Sequence, residues 1–250
     1  MKKIISLKNI SYTYPEAGKN VSDKKFSLKN ISLDIYEKEV IGITGFSGSG
    51  KSTLAKIIQG ILKPDDGKIE RFFELEKTRV SPVQMLFQNS EELLNPFRKV
   101  KNNLRDIEKK EDRIKGYLNK FQLTEEILNR KAMFLSGGER QRIALIKILL
   151  ADPEIIILDE PFSAQDPASN ENIGKIIKTI AGEGKTIIII SHLIEELIDL
   201  SKRMMVVHQG KISIDSSTEL MNNLESNNVF KLLLKASKFN LAEKMPSDKL

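Results

Sequence analysis

Apolar and polar side chains alternate along two stretches near the start of the chain, 4–12 and 28–36. Alternation with a period of two is typical of a strand that buries one face. The stretch between them, 15–27, is polar and predicts a long loop. Together these stretches predict an antiparallel sheet at the edge of a larger domain.

The period changes at residue 40. Val40–Thr44 is a short apolar run that predicts a buried strand, and a Gly-rich turn follows it. Residues 51–62 then place apolar side chains at helical spacing, at Leu54, Ile57, Ile58 and Ile61. Residues 64–67 read Pro-Asp-Asp-Gly, which predicts that the helix ends in a turn.

Later in the chain, strand-like runs alternate with helical segments. The runs are 83–87, 154–158, 186–190 and 203–208. Such an order is typical of crossover units in a parallel sheet, so we predict an α/β fold. Residues 89–150 are charged and helix-prone, which predicts a helical insertion. The tail predicts short helices at 219–224 and 229–236. We therefore expect a single domain over 1–250, with a core formed by 1–88 and 151–216, a helical subdomain at 89–150 and a helical tail at 217–250.

Composition narrows the class of protein. The chain has 250 residues, with 40% hydrophobic and 30% charged side chains, enough for a sizeable core. It has no cysteine, which excludes disulfides and thiolate metal sites. No apolar run approaches the length of a membrane span, and no secretory signal is recognised, so we expect a cytosolic protein. The net charge of +6 permits an anionic partner, but with 6% aromatic residues we expect no nucleic acid.

Residues 45–52 read G-x-x-x-x-G-K-S, between a predicted buried strand and a predicted helix. In that context glycines turn successive N–H groups inward and the helix start adds its positive end, which predicts a polyphosphate site. Lys51 supplies a charge to the terminal phosphates, and the Ser52 hydroxyl suits Mg²⁺. The alternative is a Gly/Ser-rich surface turn. The predicted binding residues are Gly45, Ser47, Gly48, Ser49, Gly50, Lys51, Ser52 and Thr53.

Two adjacent carboxylates, Asp159 and Glu160, end the buried run 155–158. Consecutive strand residues point to opposite faces, so we expect the two to have different roles. Asp159 suits the magnesium shell, and Glu160 suits a general base for an attacking water. Without the phosphate loop, the two carboxylates could equally be an acidic strand end with no catalytic role.

A second helix start carries unusual glycines. Ser136 is a good N-cap, and Glu139 three residues later predicts a capping box. Gly137 and Gly138 expose backbone N–H groups without side-chain cover, which predicts a second anion site. An ordinary capped helix is the alternative.

The phosphate loop, the LSGGE segment and the ILDE segment, in this order and spacing, resemble the nucleotide-binding subunit of an ATP-binding-cassette (ABC) transporter over residues 4–215. The resemblance implies a P-loop NTPase parallel-sheet core with an antiparallel β edge subdomain and a helical insertion. It also implies a Mg²⁺-dependent ATPase that uses ATP and Mg²⁺.

The resemblance assigns further residues. Tyr14 matches the aromatic residue that stacks on adenine, although a core tyrosine at a strand end is the alternative. Gln88 matches a glutamine that reaches magnesium and water, and His192 matches a switch histidine at the terminal phosphate. Asp166 matches a loop aspartate that meets the partner subunit. The implied catalytic residues are Glu160, His192 and Gln88, and the implied metal ligands are Ser52, Gln88 and Asp159.

Three positions depart from the family pattern. Gln165 replaces a leucine before Asp166, which affects the expected dimer packing. Glu139 replaces the more usual glutamine. Phe46 is uncommon within the phosphate loop, and we expect its ring to pack outside the phosphates.

The family implies a dimer, of identical or different chains, in which each ATP lies between the phosphate loop of one subunit and the LSGGE helix of the other. It also implies a transmembrane subunit that docks near 89–104, and a peripheral location on the cytoplasmic face of the cell membrane. Residues 50–54 and 59–67 are similar to energy-coupling-factor ATPases of vitamin and cobalt importers. Residues 88–89 and 94–96 are similar to oligopeptide and nickel importers, which usually carry a cysteine-containing tail. A soluble ABC ATPase of iron-sulfur assembly is the other alternative.

Overall fold

The structure is a computed structural model that describes residues 1–14, 26–73, 80–87, 93–162, 167–221 and 230–235. The chain divides into two compact units, Met1–Phe72 with Ile188–Leu250, and Phe73–Ile187. Two predicted site residues, Gln88 and Asp166, lie outside the described residues, as do Gln165 and most of the predicted loop 15–27.

An antiparallel sheet opens the first unit. Its strands are β1 (Lys3–Thr13), β2 (Phe26–Tyr36) and β4 (Asp66–Arg71), in the order β2-β1-β4. The alternating apolar residues of β1 and β2 pair across the ladder, for example Ile5 with Ile35. This confirms the predicted edge sheet. Strand β4 was not predicted, because its sequence, DGKIER, carries a single apolar residue.

The first unit also contains a ladder of β3 (Val40–Thr44), β8 (Arg203–His208) and β9 (Lys211–Ser217). Strands β3 and β8 are parallel, as predicted. Strand β9, which was not predicted, returns antiparallel to β8. One arginine joins this ladder to β2: Arg203 donates from Nε and Nη2 to the Asp215 carboxylate, both at 2.6 Å, and from Nη1 to the Asp34 carbonyl at 3.0 Å.

Helix α1 (Lys51–Gln59) follows β3, and α6 (Ile194–Leu200) precedes β8. The prediction that α1 extends to residue 62 is wrong. Gly60 adopts φ +92° and its N–H closes the helix on the carbonyls of Lys56 and Ile57, a left-handed stop that glycine tolerates well. Ile61, expected on the buried face, is consequently 54% exposed.

The second unit contains the parallel pair β5 (Val83–Leu86) and β6 (Ile155–Asp159), in register from Val83 with Ile155 onward. Its helices are α2 (Val100–Arg105), α3 (Glu111–Lys120), α4 (Gly137–Leu150) and α5 (Pro167–Gly182), with 3-10 turns at Glu125–Asn129 and Ala132–Phe134. The residues described between 93 and 150 form no strand, in agreement with the predicted helical insertion.

The chain passes from the second unit to the first within β7 (Thr186–Ile190), all of whose residues are buried. After β9, α7 (Thr218–Met221) and a helical segment at 230–235 are the described parts of the tail. The α/β class with a parallel sheet and antiparallel strands is therefore confirmed. Within the described ranges, no helix combines the length and apolarity that a membrane crossing needs.

Candidate functional site

The phosphate loop lies between β3 and α1, as the sequence predicts. Three of its glycines have positive φ: Gly45 at +150°, Gly48 at +73° and Gly50 at +108°. At Gly45 a Cβ atom would lie 2.1 Å from the Val207 carbonyl oxygen, so only glycine fits there. At Gly48 a Cβ would meet nothing within 4 Å. The loop therefore packs closely against the Val207 backbone at Gly45, and it has free space beside Gly48.

Hydrogen bonds hold the loop in shape. The Lys51 Nζ donates to the carbonyls of Gly45 at 2.7 Å and Phe46 at 3.1 Å, so the ammonium spans the loop. The Gly210 N–H donates to the Ser49 carbonyl at 3.0 Å and ties the loop to the turn between β8 and β9. The Ser49 Oγ is buried with no hydrogen-bond partner among the described residues, although buried polar atoms are normally paired.

Helix α1 begins without a side-chain cap. Gly50 is its N-cap, no side chain bonds the first turn there, and that turn contains no acidic residue. The first N–H groups of a helix have no partner within the helix and carry partial positive charge. The start of α1 is thus suited to bind an anion.

Tyr14 lies close to this helix. Its hydroxyl is 3.4 Å from the Thr53 Oγ1, and its ring meets Tyr12 edge-on with centroids 5.0 Å apart. The Tyr14 side chain is 41% exposed, which disfavours the alternative of a core tyrosine. The structure thus brings Tyr14 and Thr53 together, whereas Ser52 in the same helical turn is exposed.

His192 belongs to the same unit as the phosphate loop. The neighbouring Ser191 N–H donates to the Ile43 carbonyl at 3.1 Å, and the Ser191 Oγ accepts from the Leu193 N–H at 3.1 Å. Because Ile43 lies near the end of β3, these bonds place the His192 backbone beside the strand that leads into the phosphate loop. The Phe46 ring, meanwhile, contacts His208 edge-on at 6.1 Å and is 37% exposed.

The adjacent carboxylates lie in the second unit and differ in backbone conformation. Asp159 is the last residue of β6 and only 8% exposed. Glu160 is half-buried and adopts φ +52°, in the left-handed region. The strand has therefore ended before Glu160, and the alternation that was expected to separate the two side chains does not extend to it.

The capping box at the start of α4 is present. The Ser136 Oγ accepts from the Glu139 N–H at 3.2 Å, and the Glu139 Oε2 accepts from the Ser136 N–H at 2.8 Å. Because a hydroxyl donates as well as accepts, the Ser136 O–H keeps its donor. A Cβ at Gly137 would meet nothing within 4 Å, so packing around it does not require glycine. The open face at Gly137 suits contact with another molecule.

Arg130 supports this helix start, a contact that no sequence pattern predicted. Its Nη1 donates to the Glu139 Oε1 at 2.9 Å, and its Nη2 donates to the Phe134 carbonyl. Burial alone would raise the pKa of Glu139, but the Ser136 N–H and the Arg130 guanidinium outweigh it and lower that pKa. The spacing of nine residues follows no helical rule that could have predicted the pair.

Gln141 is a second residue that the motifs did not single out. It lies on α4, is 8% exposed, and donates from Nε2 to the Pro161 carbonyl at 2.7 Å. The bond connects α4 with the turn that follows Glu160. Nothing local in the sequence predicts it, since the partners are twenty residues apart.

Ser52 and Asp159, the two predicted magnesium ligands that the structure describes, both carry oxygen donors. Within the described part of the chain, no group of three or more His, Cys, Asp or Glu side chains could hold a metal ion by itself. Magnesium is usually bound through one or two carboxylates together with substrate phosphates and water. Within the first unit the exposed Ser52 hydroxyl is an oxygen donor of this kind, and within the second unit so is the Asp159 carboxylate.

Comparisons with known proteins agree with this geometry. The family model described as ABC transporter matches residues 28–163. A putative ABC transporter ATP-binding protein of Methanosarcina mazei is 33% identical over 234 residues, covering 90% of this chain and 80% of the relative. The energy-coupling factor transporter ATP-binding protein EcfA3 of Oenococcus oeni is 31% identical over 239 residues, covering 89% and 82%.

Solved structures give the same result. The dimeric post-hydrolysis state of the ATP-binding cassette MJ0796, bound to ADP and Pi, has a TM-score of 0.72 and 27% identity, covering 86% of this chain and 99% of that one. The cbiO1 protein of Clostridium perfringens, part of the transporter complex cbiONQ, has a TM-score of 0.72 and 25% identity, covering 94% and 100%. The phosphate loop, the capped LSGGE helix and these matches agree, and the chain belongs to the ABC transporter family as an ATP-binding subunit.

Proposed function

We propose that this chain hydrolyses ATP as the motor subunit of an importer of the energy-coupling-factor type, working as a dimer on a transmembrane subunit. One observation carries the proposal: the chain has two glycine-bearing helix starts suited to anions, and one of them has no side-chain cap. Relatives named as energy-coupling factor transporter ATP-binding proteins, in Oenococcus oeni and Acetivibrio thermocellus, support the type of transporter.

The phosphate loop binds ATP in this proposal. The N–H groups of residues 45–52 and the start of α1 surround the phosphates, while the Lys51 ammonium moves from the loop carbonyls to the terminal phosphates. Tyr14 stacks on the adenine, and His192 contacts the terminal phosphate. Ser52, Asp159 and Gln88 would hold Mg²⁺, which would neutralise phosphate charge.

The start of α4 binds the nucleotide of the partner subunit. The Ser136 hydroxyl and the N–H groups of Gly137 and Gly138 complete the second side of the phosphate, so ATP joins the two subunits. Asp166 meets the partner at the interface. In hydrolysis Glu160 is the base that takes a proton from the attacking water, the water oxygen bonds to the terminal phosphorus, and the bond to ADP breaks. Departure of the phosphate then removes the bridge, and the dimer reopens.

The test is Glu160→Gln. The amide keeps the size of the side chain but cannot accept the proton, so we expect hydrolysis to fall by about 100-fold or more. ATP binding should persist, and an ATP-bound dimer should accumulate in size-exclusion chromatography with light scattering.

Glu154→Gln is the matched control, because Glu154 is exposed and immediately precedes β6. It should keep normal turnover and form no trapped dimer. If Glu160→Gln retained most of its turnover, the assignment of the base would be wrong.

A vitamin or a metal ion is the proposed cargo, and the cytoplasmic face of the membrane is the proposed location. Purification from detergent-solubilised membranes tests both. Recovery with a span-rich membrane subunit, followed by ATP-dependent vitamin or cobalt uptake in vesicles, would support the proposal. Uptake of an oligopeptide, or recovery with soluble iron-sulfur assembly proteins, would contradict it.

A further inference from the structure

Gln141 connects two functional parts of the second unit. It lies on α4 five residues after the N-cap Ser136, and its Nε2 donates to the Pro161 carbonyl at 2.7 Å. At about 1.5 Å of rise per residue, Gln141 is about 7 Å along the helix from its start. A buried hydrogen bond thus joins the helix that contains Gly137 to the turn at Glu160 and Pro161.

The turn needs such support. Glu160 has φ +52°, a region that is unfavourable for side chains with a Cβ and that persists only where the surroundings impose it. On its C-terminal side, Pro161 restricts its own φ, and Phe162 is 1% exposed. Gln141 donates to the Pro161 carbonyl, so the backbone immediately after Glu160 is tied to α4.

Packing alone does not account for a glutamine at this position. The Gln141 Oε1 is buried and has no partner among the described residues. A buried polar atom without a partner lowers stability, so an apolar side chain of similar size would suit the core better. What the amide adds is the donor to Pro161.

We propose that Gln141 is a positioning residue for Glu160 and couples the two ATP sites of the dimer. The inference rests on the proposed function. When the start of α4 engages the nucleotide of the partner, α4 moves as a rigid element and Gln141 moves the Glu160 turn of its own subunit. Occupancy of one site thereby sets the direction of the base in the other.

The experiment uses Gln141→Met, which keeps the length of an unbranched side chain and removes the donor. We expect kcat for ATP hydrolysis to fall by about tenfold while KM for ATP changes by less than about twofold, because one positioning bond is lost and the phosphate loop is intact. Loss of the bond to the Pro161 carbonyl lowers stability and loss of the unpaired Oε1 raises it, so the midpoint of thermal unfolding should change little. If Gln141→Met does not fold, Gln141→Leu carries the same prediction.

Gln84→Met is the matched control. Gln84 also donates from Nε2 to a backbone carbonyl, that of Ser81, at 2.7 Å, and it lies in the same unit on β5. Its loss should leave kcat unchanged. Normal kcat in Gln141→Met, or an equal loss in Gln84→Met, would overturn the inference.

Mixed dimers separate positioning from a general structural defect. One subunit carries Glu160→Gln, so that only the other subunit's base acts. Gln141→Met in the subunit with the intact Glu160 should lower turnover about tenfold, and the same change in the Glu160→Gln subunit should have a much smaller effect. Equal loss in both arrangements would overturn the inference. Failure of Glu160→Gln to stop hydrolysis would instead contradict the proposed function.

Discussion

The helix starts of α1 and α4 offer two solutions to presenting N–H groups to an anion. Helix α1 begins at Gly50 with no side-chain cap and no acid in its first turn. Helix α4 begins with a complete capping box, and the acid of that box pairs with Arg130. The first start leaves its donors for a ligand, whereas the second satisfies part of its donors from its own chain.

This difference predicts separate roles, with the start of α1 governing ATP binding and the start of α4 governing association of two subunits. An uncapped start gains most when a phosphate arrives, so the loop before α1 should determine whether the chain holds ATP at all. A capped start is stable without a ligand and offers only the Ser136 O–H and the glycine N–H groups. Substitutions at α4 should therefore affect association of two ATP-loaded subunits and leave ATP binding by one subunit unchanged.

Lys51→Ala should have the strongest effect on α1. The ammonium is the charge that spans the loop, and its loss should weaken ATP binding by the isolated chain by about 100-fold, measured by calorimetry. Lys56→Ala, which removes the same charge from the last turn of α1, is the control and should bind normally. Equal loss in both variants would show that overall charge, and not the loop, holds the nucleotide.

Gly137→Ala tests the open face of α4. A methyl group there meets nothing within the subunit, and alanine favours a helix, so stability should not fall. ATP-driven dimerisation should fall by about tenfold, measured in a Glu160→Gln background, because the methyl group would occupy the face that we propose contacts the partner's nucleotide. Gly174→Ala, equally open and helical, is the control. If Gly137→Ala dimerised normally, the second anion site would be misplaced.

Arg130→Ala should act more weakly. It leaves the Glu139 carboxylate unneutralised beside the predicted phosphate site, and exposed pairs contribute up to about 1 kcal/mol, so association should fall by about threefold. Adding Glu139→Gln should restore association, because the repelling charge is removed while the amide oxygen still caps Ser136. Light scattering at low and high salt measures both. No recovery in the double variant would assign Arg130 a role unrelated to charge.

Low pH should remove a stabilising contribution at the start of α4, where Glu139 is part of the cap. The first turn of α1 contains no acidic residue that could titrate. The pKa of Glu139 is lowered from its usual 4.5, so its carboxylate stabilises the folded state above that value and the contribution is lost as pH falls through the lower folded pKa. The Tm advantage of the natural chain over Glu139→Gln should therefore shrink as the pH is lowered through 4.5 and below. A constant difference across that range would contradict the assigned contacts of Glu139.

Sequence patterns predicted the elements that depend on contacts between residues near each other in the chain. The edge strands, the phosphate loop, the capping box at Ser136 and the helical insertion follow from period, spacing and cap residues. Strand β4 escaped prediction because it is stabilised by pairing with β1, where Leu7 faces Ile69, rather than by an apolar run. The left-handed backbone conformation of Glu160 was not predicted, because the pattern was read as a strand that continues through this residue.

Contacts between distant residues were outside the reach of sequence rules. Arg130 contacts Glu139 although the 3-10 turn at Ala132–Phe134 lies between them in the sequence. Gln141 contacts Pro161 although the rest of α4 and all of β6 lie between them. Neither pair has a spacing that a helix or strand imposes. The motif residues were thus predictable, whereas the residues that orient them required the folded chain.

The hairpin of β8 and β9 has a consequence for truncation. All the predicted motifs end by His192, yet the backing of the phosphate loop comes from Val207 and Gly210, later in the chain. A fragment cut shortly after residue 200 would contain all the predicted motifs of the family. It would lack the β8–β9 backbone that contacts the phosphate loop. Such a fragment should be unable to retain a nucleotide, so we expect the shortest ATP-binding fragment to extend through β9.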